Sequence, residues 1–583
     1  MKVLFVSLNA KYVHSSLALR YIKDYCQEYK NNTKILELTI NHDENQMIRQ
    51  IYAEKPDVIG FSCYIWNMAD IKKLIPTLKK ILPQTEIILG GPEVSYHSTE
   101  LMEELDIDMI MEGEGEEIWD EYLSYKTSGM PLLKDIDGII YKDRLTSQVV
   151  INKARKLIDL SKLPFVYDNL DGLEHRIIYY EASRGCPFNC QYCLSSIEKG
   201  VRFLPVDRVK QELQYFLDNR IMQVKFVDRT FNTKKKYAME IWQYIIENDN
   251  NYTNFHFEIA AELLDDEMIE ALKTARPGLI QFEIGVQSTN IEVLTTIKRR
   301  MPFEDIASIT NKIKSLGNIH QHLDLIAGLP LEDYSSFRQS FNDVISLRPE
   351  QFQLGFLKLL KGSGLRKDAS KYGIVYKEEA PYEVLYTDYL SYDEMIRLHN
   401  IEEMLERYYN SERFKTSLEY LYTLFDTPFD FYQALANYWE EKSYDKVSHK
   451  KASYYIYLVE FVSEFKNANL SLVKELVKFD WFTHEFIKEV PNSLVTLSQD
   501  IYKEKVYDVL KDDEYMQQVS KAASVLPIRQ RVRKVHIEYF TYAIYQAIQI
   551  GNYNTINILD QPQPILFDYT YASNGAKTVL VEG

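Results

Sequence analysis

Three of the five cysteines in this 583-residue sequence stand within a stretch of eight residues. Cys186, Cys190 and Cys193 have the spacing C-x3-C-x2-C and follow a predicted strand over 177–181. Three thiolates on one loop can bind three irons of a [4Fe–4S] cluster and leave the fourth iron without a protein ligand. A closed zinc site needs a fourth ligand, and none of suitable spacing is near. The alternatives are a zinc site or three unrelated cysteines, and the spacing favours the cluster.

This motif resembles the signature of the radical S-adenosylmethionine (SAM) family, C-x3-C-x-aromatic-C, with Tyr192 in the aromatic position. The resemblance implies that Cys186, Cys190 and Cys193 hold a [4Fe–4S] cluster whose open iron binds the amino and carboxyl groups of SAM. In that family, one-electron reduction splits SAM into methionine and a 5′-deoxyadenosyl radical, and the aromatic ring lies near the adenine. The protein supplies geometry and excludes water, while the cofactor supplies the chemistry.

The same resemblance implies four further contacts to SAM. Glu283 and Gln287 stand in a segment that looks like the fourth barrel strand of many members, and Ile326 stands in one that looks like the fifth strand, near the adenine. The second strand of the family usually ends in a Gly-Gly-Glu-like motif that holds the SAM amino group. This sequence has Phe-Val-Asp-Arg there, so Asp228 is the expected substitute. Ordinary polar loop positions are the alternative for Asp228, Glu283 and Gln287.

Glycine-rich segments follow two neighbouring strands predicted before the cysteines. Gly-Gly-Pro-Glu follows the fourth strand, and Glu-Gly-Glu-Gly-Glu follows the fifth. Glycines at the carboxyl ends of parallel strands let the backbone approach a large planar or phosphorylated ligand. An isolated Gly-Gly dipeptide would indicate only a turn. Ahead of the cysteine motif, the two segments resemble the cobalamin-binding domain of B12-dependent radical SAM enzymes. The implied cobalamin contacts are Gly90, Gly91, Glu93, Gly113, Glu114 and Gly115.

His14 marks a departure from one branch of these domains. Domains that replace the lower axial ligand of cobalamin with histidine carry D-x-H-x-x-G after the first strand, and His14 lacks the Asp and Gly of that motif. We therefore expect a structural role for His14, and cobalamin bound with its base displaced. A degenerate domain that binds no cobalamin is the alternative. Nucleotide binding is disfavoured because the sequence lacks G-x-G-x-x-G.

The periodicity predicts an α/β protein with a helical C-terminal part. Residues 1–130 alternate strand and helix and are expected to form a doubly wound parallel sheet, followed by a connector over 131–175. Residues 176–375 suit a partial (β/α)6 barrel, and residues 376–583 are rich in tyrosine and predicted to be mainly helical. The predicted strands are 2–7, 33–40, 58–64, 86–89, 109–111, 177–181, 223–227, 255–260, 279–285, 322–327 and 351–359.

The composition is that of a globular protein, with 46% hydrophobic residues, 26% charged residues and a formal net charge of −17. An acidic chain is a poor bulk binder of nucleic acid or anionic membranes, so nucleic acid is a disfavoured partner. No apolar run approaches the ~20 residues that cross a bilayer, and the short apolar N-terminus indicates a buried strand. We therefore expect a cytoplasmic protein that does not contact a membrane.

The two resemblances predict a B12-dependent radical SAM enzyme that methylates an unactivated carbon through a 5′-deoxyadenosyl radical and methylcobalamin. Such a carbon is no nucleophile, so polar methyl transfer from SAM cannot reach it. The expected partners are a small-molecule substrate of unknown identity and an external electron donor such as flavodoxin or ferredoxin. A radical rearrangement or redox reaction without methyl transfer is the enzymatic alternative. A non-catalytic iron–sulfur or cobalamin sensor is the alternative outside enzymes.

Overall fold

The computed structural model describes residues 1–143, 146, 148–197, 200–299, 301–487, 490–570 and 575–581. By its internal contacts the chain divides into two units. Unit 1 comprises residues 1–340 and 353–392, and unit 2 comprises residues 341–352 and 393–583. Among the described residues, no helix is both long enough and apolar enough to span a membrane.

Unit 1 begins with a seven-stranded sheet. Its strands are β1 (Val3–Asn9), β2 (Thr33–Thr39), β3 (Val58–Ser62), β4 (Glu86–Gly90), β5 (Met109–Met111), β6 (Ile139–Lys142) and β7 (Val149–Ile151), in the order β2-β1-β3-β4-β5-β6-β7. Its helices are α1 (Leu17–Tyr25), α2 (Glu44–Glu54), α3 (Met68–Ile81), α4 (Ser98–Glu104) and α5 (Gly115–Ser128). Strands β1 to β5 pair in parallel, which confirms the predicted sheet.

Both faces of this sheet are covered, because successive side chains of a strand point to opposite sides. Leu4, Val6 and Leu8 pack into one apolar cluster with side chains of α2 and α3. Val3 and Phe5 pack into a second cluster with side chains of α1 and α5. The central strands are therefore nearly continuous apolar runs, as expected of a parallel sheet that is buried on two sides.

The first sheet continues into residues 131–175, which are predicted from the sequence to be a connector. Strand β6 pairs antiparallel with β5, and β7 pairs antiparallel with β6. These strands have four and three residues and lie outside the strand–helix alternation by which the parallel strands are predicted. The hairpin extends the sheet beyond its parallel part.

A second sheet follows. The next strands are β8 (Ile178–Tyr180), β9 (Ser183–Cys186), β10 (Gly200–Phe203), β11 (Gln223–Phe226), β12 (Asn254–Ile259), β13 (Ile280–Gln287), β14 (His320–Ala327) and β15 (Gln351–Phe356). Six of them form a sheet in the order β15-β14-β13-β12-β11-β8, and the pairs from β8 to β14 are parallel. Over the residues that the structure describes, β15 and β8 do not pair with each other. The arrangement confirms a partial, open (β/α)6 barrel.

Helices connect the barrel strands, and a short segment completes unit 1. The helices are α6 (Val206–Asp218), α7 (Lys235–Glu247), α8 (Asp266–Leu272), α9 (Ile291–Thr296), α10 (Phe303–Leu316) and α11 (Tyr334–Ser346). The final segment contains α12 (Gly364–Lys367) and an antiparallel pair, β16 (Val375–Tyr376) and β17 (Val384–Tyr386). Strands β9 and β10 lie outside the barrel sheet and form an antiparallel hairpin around the cysteine segment.

Unit 2 is mainly helical, as predicted, and also contains a small sheet. Its helices are α13 (Tyr392–Met404), α14 (Lys415–Tyr422), α15 (Pro428–Glu441), α16 (Lys451–Ser463), α17 (Leu470–His484), α18 (Lys503–Lys511), α19 (Asp513–Val519), α20 (Lys521–Ser524), α21 (Ile528–Arg531) and α22 (Ile544–Ile550). The sheet consists of β18 (Val535–Tyr542), β19 (Ile558–Asp568) and β20 (Lys577–Leu580), all antiparallel. This sheet is absent from the sequence-based prediction.

Candidate active site

The β9–β10 hairpin holds the cysteine segment at both of its ends. Cys186 pairs in register with Gly200. Gly185 has a φ of 107°, and a Cβ at this position would lie 2.2 Å from the carbonyl oxygen of Gly200. Only glycine permits this close approach. The middle of the segment is also fixed, because the Gln191 amide donates a hydrogen bond to the Ile297 carbonyl at 3.0 Å.

All three clustered cysteines are free thiols. The Cys193 amide donates to the Cys190 carbonyl at 3.2 Å, which closes a turn between the two thiols. Burial raises the pKa of Cys190; Arg299 opposes this rise, and the neighbouring Cys193 and Cys186 add to it. Within the described ranges, no group of three His, Cys, Asp or Glu side chains is arranged to hold a single metal ion. Three separate thiols on one preformed loop fit a multi-iron cluster that takes one cysteine per iron.

Buried polar atoms without a hydrogen-bond partner lie beside the cysteine loop. They include Arg299 Nε, Gln287 Oε1 and Asp324 Oδ1. Gln287 Nε2 donates to Asp324 Oδ2 at 3.2 Å, and Arg299 donates to the Gly285 carbonyl. A register shift between β13 and β14 and a φ of 72° at Gln287 aim its side chain. Orphaned buried groups are costly unless a ligand or water pairs with them, so this mixed donor and acceptor set fits a zwitterion such as the amino-acid part of SAM.

Tyr192 and Ile326, both predicted SAM contacts, come together in the structure. Both side chains are half-buried and pack against the same apolar cluster, which contains Leu329 and Leu357. Arg299 and Asp324 interact electrostatically with Tyr192. Burial raises the pKa of Asp324 to about 7, with the nearby Glu283 carboxylate adding to the rise. An apolar surface beside hydrogen-bonding groups suits a flat heterocycle with a polar edge, so the adenine contact remains a prediction that this geometry supports.

Glu283 lies on strand β13 and already has hydrogen-bond partners on other strands of the barrel sheet. Its carboxylate accepts hydrogen bonds from Lys225 at 3.0 Å and His256 at 2.9 Å, each from a different strand. Burial would raise the pKa of Glu283, but the His256 hydrogen bond and the Lys225 charge hold it well below its ordinary value. On the next strand, burial lowers the pKa of His322 to about 4. The contact of Glu283 with SAM stays a prediction.

Asp228 is buried and holds the start of the cysteine hairpin. Its carboxylate oxygens accept hydrogen bonds from the Ala182 amide at 3.0 Å and from Ser183 Oγ at 2.5 Å. Burial raises the pKa of Asp228 to about 7, and the Ser183 hydrogen bond opposes this. The structure thus gives Asp228 a local role, and its predicted contact with the SAM amino group is untested.

The carboxyl edge of the first sheet offers exposed apolar surface. Trp66 follows β3, is 44% exposed and stacks on Tyr64 with ring centroids 4.4 Å apart. Tyr12 follows β1 and is 59% exposed. Gly113 has a φ of 83° and no heavy atom within 4 Å of the Cβ position, while Gly90 has only ordinary contacts there. Exposed rings and open glycines at one sheet edge fit a broad planar ligand such as a corrin.

Gly91 and Gly115 serve contacts within the chain. A Cβ on Gly91 would lie 2.6 Å from the Cys63 carbonyl oxygen, and φ is 111° at this residue. The Cβ position of Gly115, the first residue of α5, lies 3.0 Å from Ile22. Gly91 is therefore explained by the close approach of β4 to β3. The predicted contacts of both residues with cobalamin are untested.

Two predicted cobalamin contacts have ionic partners in the barrel domain. Glu93 lies 3.1 Å from Lys361 Nζ and accepts a hydrogen bond from the Tyr382 hydroxyl. Glu114 Oε1 lies 2.9 Å from Arg184 and 2.6 Å from Arg202. These contacts join residues that lie far apart in the sequence, and sequence patterns do not reveal them. A cobalamin contact by either glutamate remains a prediction.

His14 also joins the two domains. Its Nδ1 lies 2.6 Å from the hydroxyl of Tyr179 on β8, and its carbonyl accepts a hydrogen bond from Arg176 at 2.9 Å. These contacts agree with the structural role expected for His14. Arg184 and Arg299 are not among the residues predicted from the sequence, although the position of Arg184 directly before the Gly-Cys pair is a signal that could have identified it.

Family models match three successive parts of the chain. The model described as "B12 binding domain" matches residues 3–123, and "Radical SAM superfamily" matches residues 180–344. The model described as "Protein of unknown function (DUF4080)" matches residues 370–567. The two domains predicted from glycines and cysteines thus lie where these models match.

Curated relatives and solved structures are also similar to this chain. The cobalamin-dependent radical SAM methyltransferase TokK of Streptomyces tokunonensis is 26% identical over 329 residues, which are 52% of this chain and 47% of TokK. The chain therefore matches about half the length of that relative. The cobalamin-dependent S-adenosylmethionine radical enzyme OxsB superposes with a TM-score of 0.57 at 14% identity, covering 91% of this chain and 83% of OxsB.

The radical S-adenosylmethionine methyltransferase TsrM of Kitasatospora setae superposes with a TM-score of 0.55 at 17% identity, covering 66% of this chain and 79% of TsrM. At these identities, the two structures establish the fold alone. Fold, family models and cysteine motif lead to the same assignment. The chain combines a B12-binding domain with a radical SAM domain, and over about half its length it is similar to the cobalamin-dependent radical SAM methyltransferase TokK.

Proposed function

We propose that this protein is a cobalamin-dependent radical SAM methyltransferase that acts on an unactivated carbon of a small molecule. The observation that carries this proposal is the placement of three free thiols beside orphaned polar atoms at the carboxyl end of the barrel. The B12-binding domain lies in the same unit. The one-electron reductant would be an external protein such as flavodoxin or ferredoxin.

The side chains of this site have separable roles in the proposal. Cys186, Cys190 and Cys193 would hold the cluster, while Arg299 and Asp324 would pair with the charged ends of the amino-acid part of SAM. When bound, the cluster and SAM supply hydrogen abstraction from carbon, and cobalamin supplies a methyl group. The surrounding residues orient these groups and exclude water, which suppresses side reactions of a reactive species.

Charged side chains on the barrel strands are an argument that the substrate is polar. Lys225 and Glu283 form an ion pair at 3.0 Å and remain 26% and 25% exposed, although both lie on barrel strands. His256 and His322 stand on the strands beside them. Charged and hydrogen-bonding side chains that face an accessible interior favour a substrate with polar groups over a purely apolar one.

The first test measures cluster binding and SAM cleavage. Anaerobic reconstitution should give about four irons per chain, because one [4Fe–4S] cluster is expected. Replacing Cys186, Cys190 and Cys193 with alanine should abolish the bound iron and 5′-deoxyadenosine formation. The control is Cys26→Ala, since Cys26 is buried in the other domain. Full iron binding by the triple variant would disprove the assignment.

The second measurement separates methylation from its alternatives. Reconstituted protein with bound cobalamin, a reductant and methyl-deuterated SAM should form deuterated methylcobalamin. Cleavage of SAM without any methyl transfer to cobalamin would favour the rearrangement or redox alternative. Binding of the cluster without SAM cleavage under reducing conditions would favour a sensor.

A further inference from the structure

An ion-pair network joins the cysteine hairpin to the B12-binding domain. Arg184 stands two residues before Cys186. Its guanidinium lies 2.9 Å from Glu114 and 3.0 Å from Glu116, both at the start of α5 in the first sheet's domain. The same group contacts Glu181 of its own segment at 2.8 Å. One side chain therefore bridges the two domains directly beside the thiols.

Strand β10, the other strand of the hairpin, also contacts Glu114. Arg202 is the register partner of Arg184. Its Nη2 and Nη1 contact the two carboxylate oxygens of Glu114 at 2.6 and 3.1 Å. The Ile158 amide also donates to Glu114 at 2.7 Å, and Arg202 donates to the Ile158 carbonyl at 2.6 Å. Both oxygens of Glu114 are thus occupied by donors from the chain, in paired geometry that fixes direction as well as distance.

The charges of the network reinforce one another. Burial opposes the charged form of Arg184, but Glu181 and Glu116 outweigh it and hold its pKa above the ordinary value. Burial would raise the pKa of Glu114, but the hydrogen bond of Arg202 and the charge of Arg184 hold it below the ordinary value. The side chains of Arg184, Glu114 and Glu116 are 19%, 11% and 6% exposed, so water screens them little.

We propose that Arg184 is a positioning residue that, with Arg202, fixes the cysteine hairpin against the loop at residues 112–116, which follows β5 in the B12-binding domain. The network sets the separation between the three thiols and the carboxyl edge of the first sheet. This role goes beyond the proposed function, because it depends on neither SAM chemistry nor methyl transfer. Its test can therefore fail or succeed independently of that function.

The test measures the distance between the two domains in the full chain. Nitroxide labels on p-acetylphenylalanine, introduced at exposed Lys80 on α3 and exposed Lys236 on α7, leave all cysteines unmodified. Pulsed electron–electron double resonance then gives the distribution of distances between the two labels. We expect Arg184→Gln to widen this distribution at least twofold and Arg184→Lys to widen it less, since lysine keeps the charge but loses the fork of donors.

The control is Arg208→Gln, which removes an equivalent guanidinium that pairs with Glu212 on its own helix at 2.7 Å. It should leave the distance distribution unchanged. An Arg184→Gln protein with a lower melting temperature but the wild-type distribution would overturn the proposal, because the network would then only stabilise. If Arg184→Gln does not fold, the test uses Glu116→Gln, which removes a single contact of Arg184. A wider distance distribution in this variant supports the positioning role, and an unchanged distribution overturns it.

Discussion

Glu332 is a buried carboxyl group in the segment after β14, and it joins the segment after β13 to helix α11. It accepts hydrogen bonds from Ser288 Oγ at 2.6 Å and from Ser340 Oγ at 3.1 Å. Burial raises its pKa to about 7, and the two serine hydroxyls oppose this rise. A buried group with such a pKa gives the folded protein a measurable dependence on pH.

We predict that Glu332→Gln reduces this pH dependence. Between pH 4.5 and about 7 the folded protein retains a proton that the unfolded chain releases, so stability falls as pH rises through this window and then levels off. Removing the carboxyl should shrink the loss of stability between pH 5 and pH 8 by on the order of 2 kcal/mol. Thermal unfolding at the two pH values measures it. The exposed control Glu304→Gln should behave as wild type, and equal slopes in both variants would contradict the prediction.

Single residues differ in how far the sequence could identify their roles. Cys186, Cys190 and Cys193 lie within eight residues of one another, so their chemistry is visible in their spacing. Glu93 and Glu114 look like ligand contacts because they follow glycines at strand ends, yet both pair with basic side chains of another domain. Such partners are set by tertiary packing, which no local pattern encodes.

Among the elements, the β9–β10 hairpin gives the sharpest prediction. Gly185→Ala should reduce iron loading by at least half, because its Cβ would lie 2.2 Å from the Gly200 carbonyl and force the hairpin apart. Gly200→Ala is the matched control. Gly200 also has a positive φ, 96°, but nothing lies within 4 Å of its Cβ position. Iron per chain after anaerobic reconstitution measures the effect, and equal loading of the two variants would show that the clash is irrelevant.

The parallel strands were predictable, and the short antiparallel strands β6 and β7 and the proline-containing strand β19 were not. The parallel strands of both sheets have strong apolar patterns bounded by glycine or polar residues, and all were found. Strand β19 contains Pro562 and Pro564, which usually argue against a strand. Both prolines precede the stretch Ile565–Asp568, which pairs with β20. At the prolines, β19 therefore has a named partner strand, β18, on one side only. A missing donor is tolerated there.

At the scale of the whole molecule, the domains expected from the sequence are tied into a larger unit. His14 contacts Tyr179, Glu114 contacts Arg184, and Glu93 contacts Lys361. These three contacts all connect the B12-binding domain with residues after it. The expected boundaries near residues 130, 175 and 375 follow changes of pattern, whereas the contacts divide the chain near 340–353 and 392.

We predict that the contacts make the two domains of unit 1 unfold together. Replacing Glu93 and Glu114 with glutamine should leave buried cations with weaker partners and separate a lower-temperature transition in calorimetry. The control Glu103→Gln alters an exposed carboxylate on α4 and should leave the profile unchanged. A double variant with the wild-type profile would show that the domains are coupled by apolar packing alone.

The bridge from Arg184 and Arg202 to Glu114 has an entropic consequence for the proposed function. A carrier on a flexible tether must search for its partner during every turnover, and that search costs translational and rotational freedom each time. Here the chain fixes both loops once, when it folds, and afterwards each group would act at a high effective concentration toward the other. The rate would then depend on how the substrate enters the barrel, since no swing of the B12-binding domain would be required.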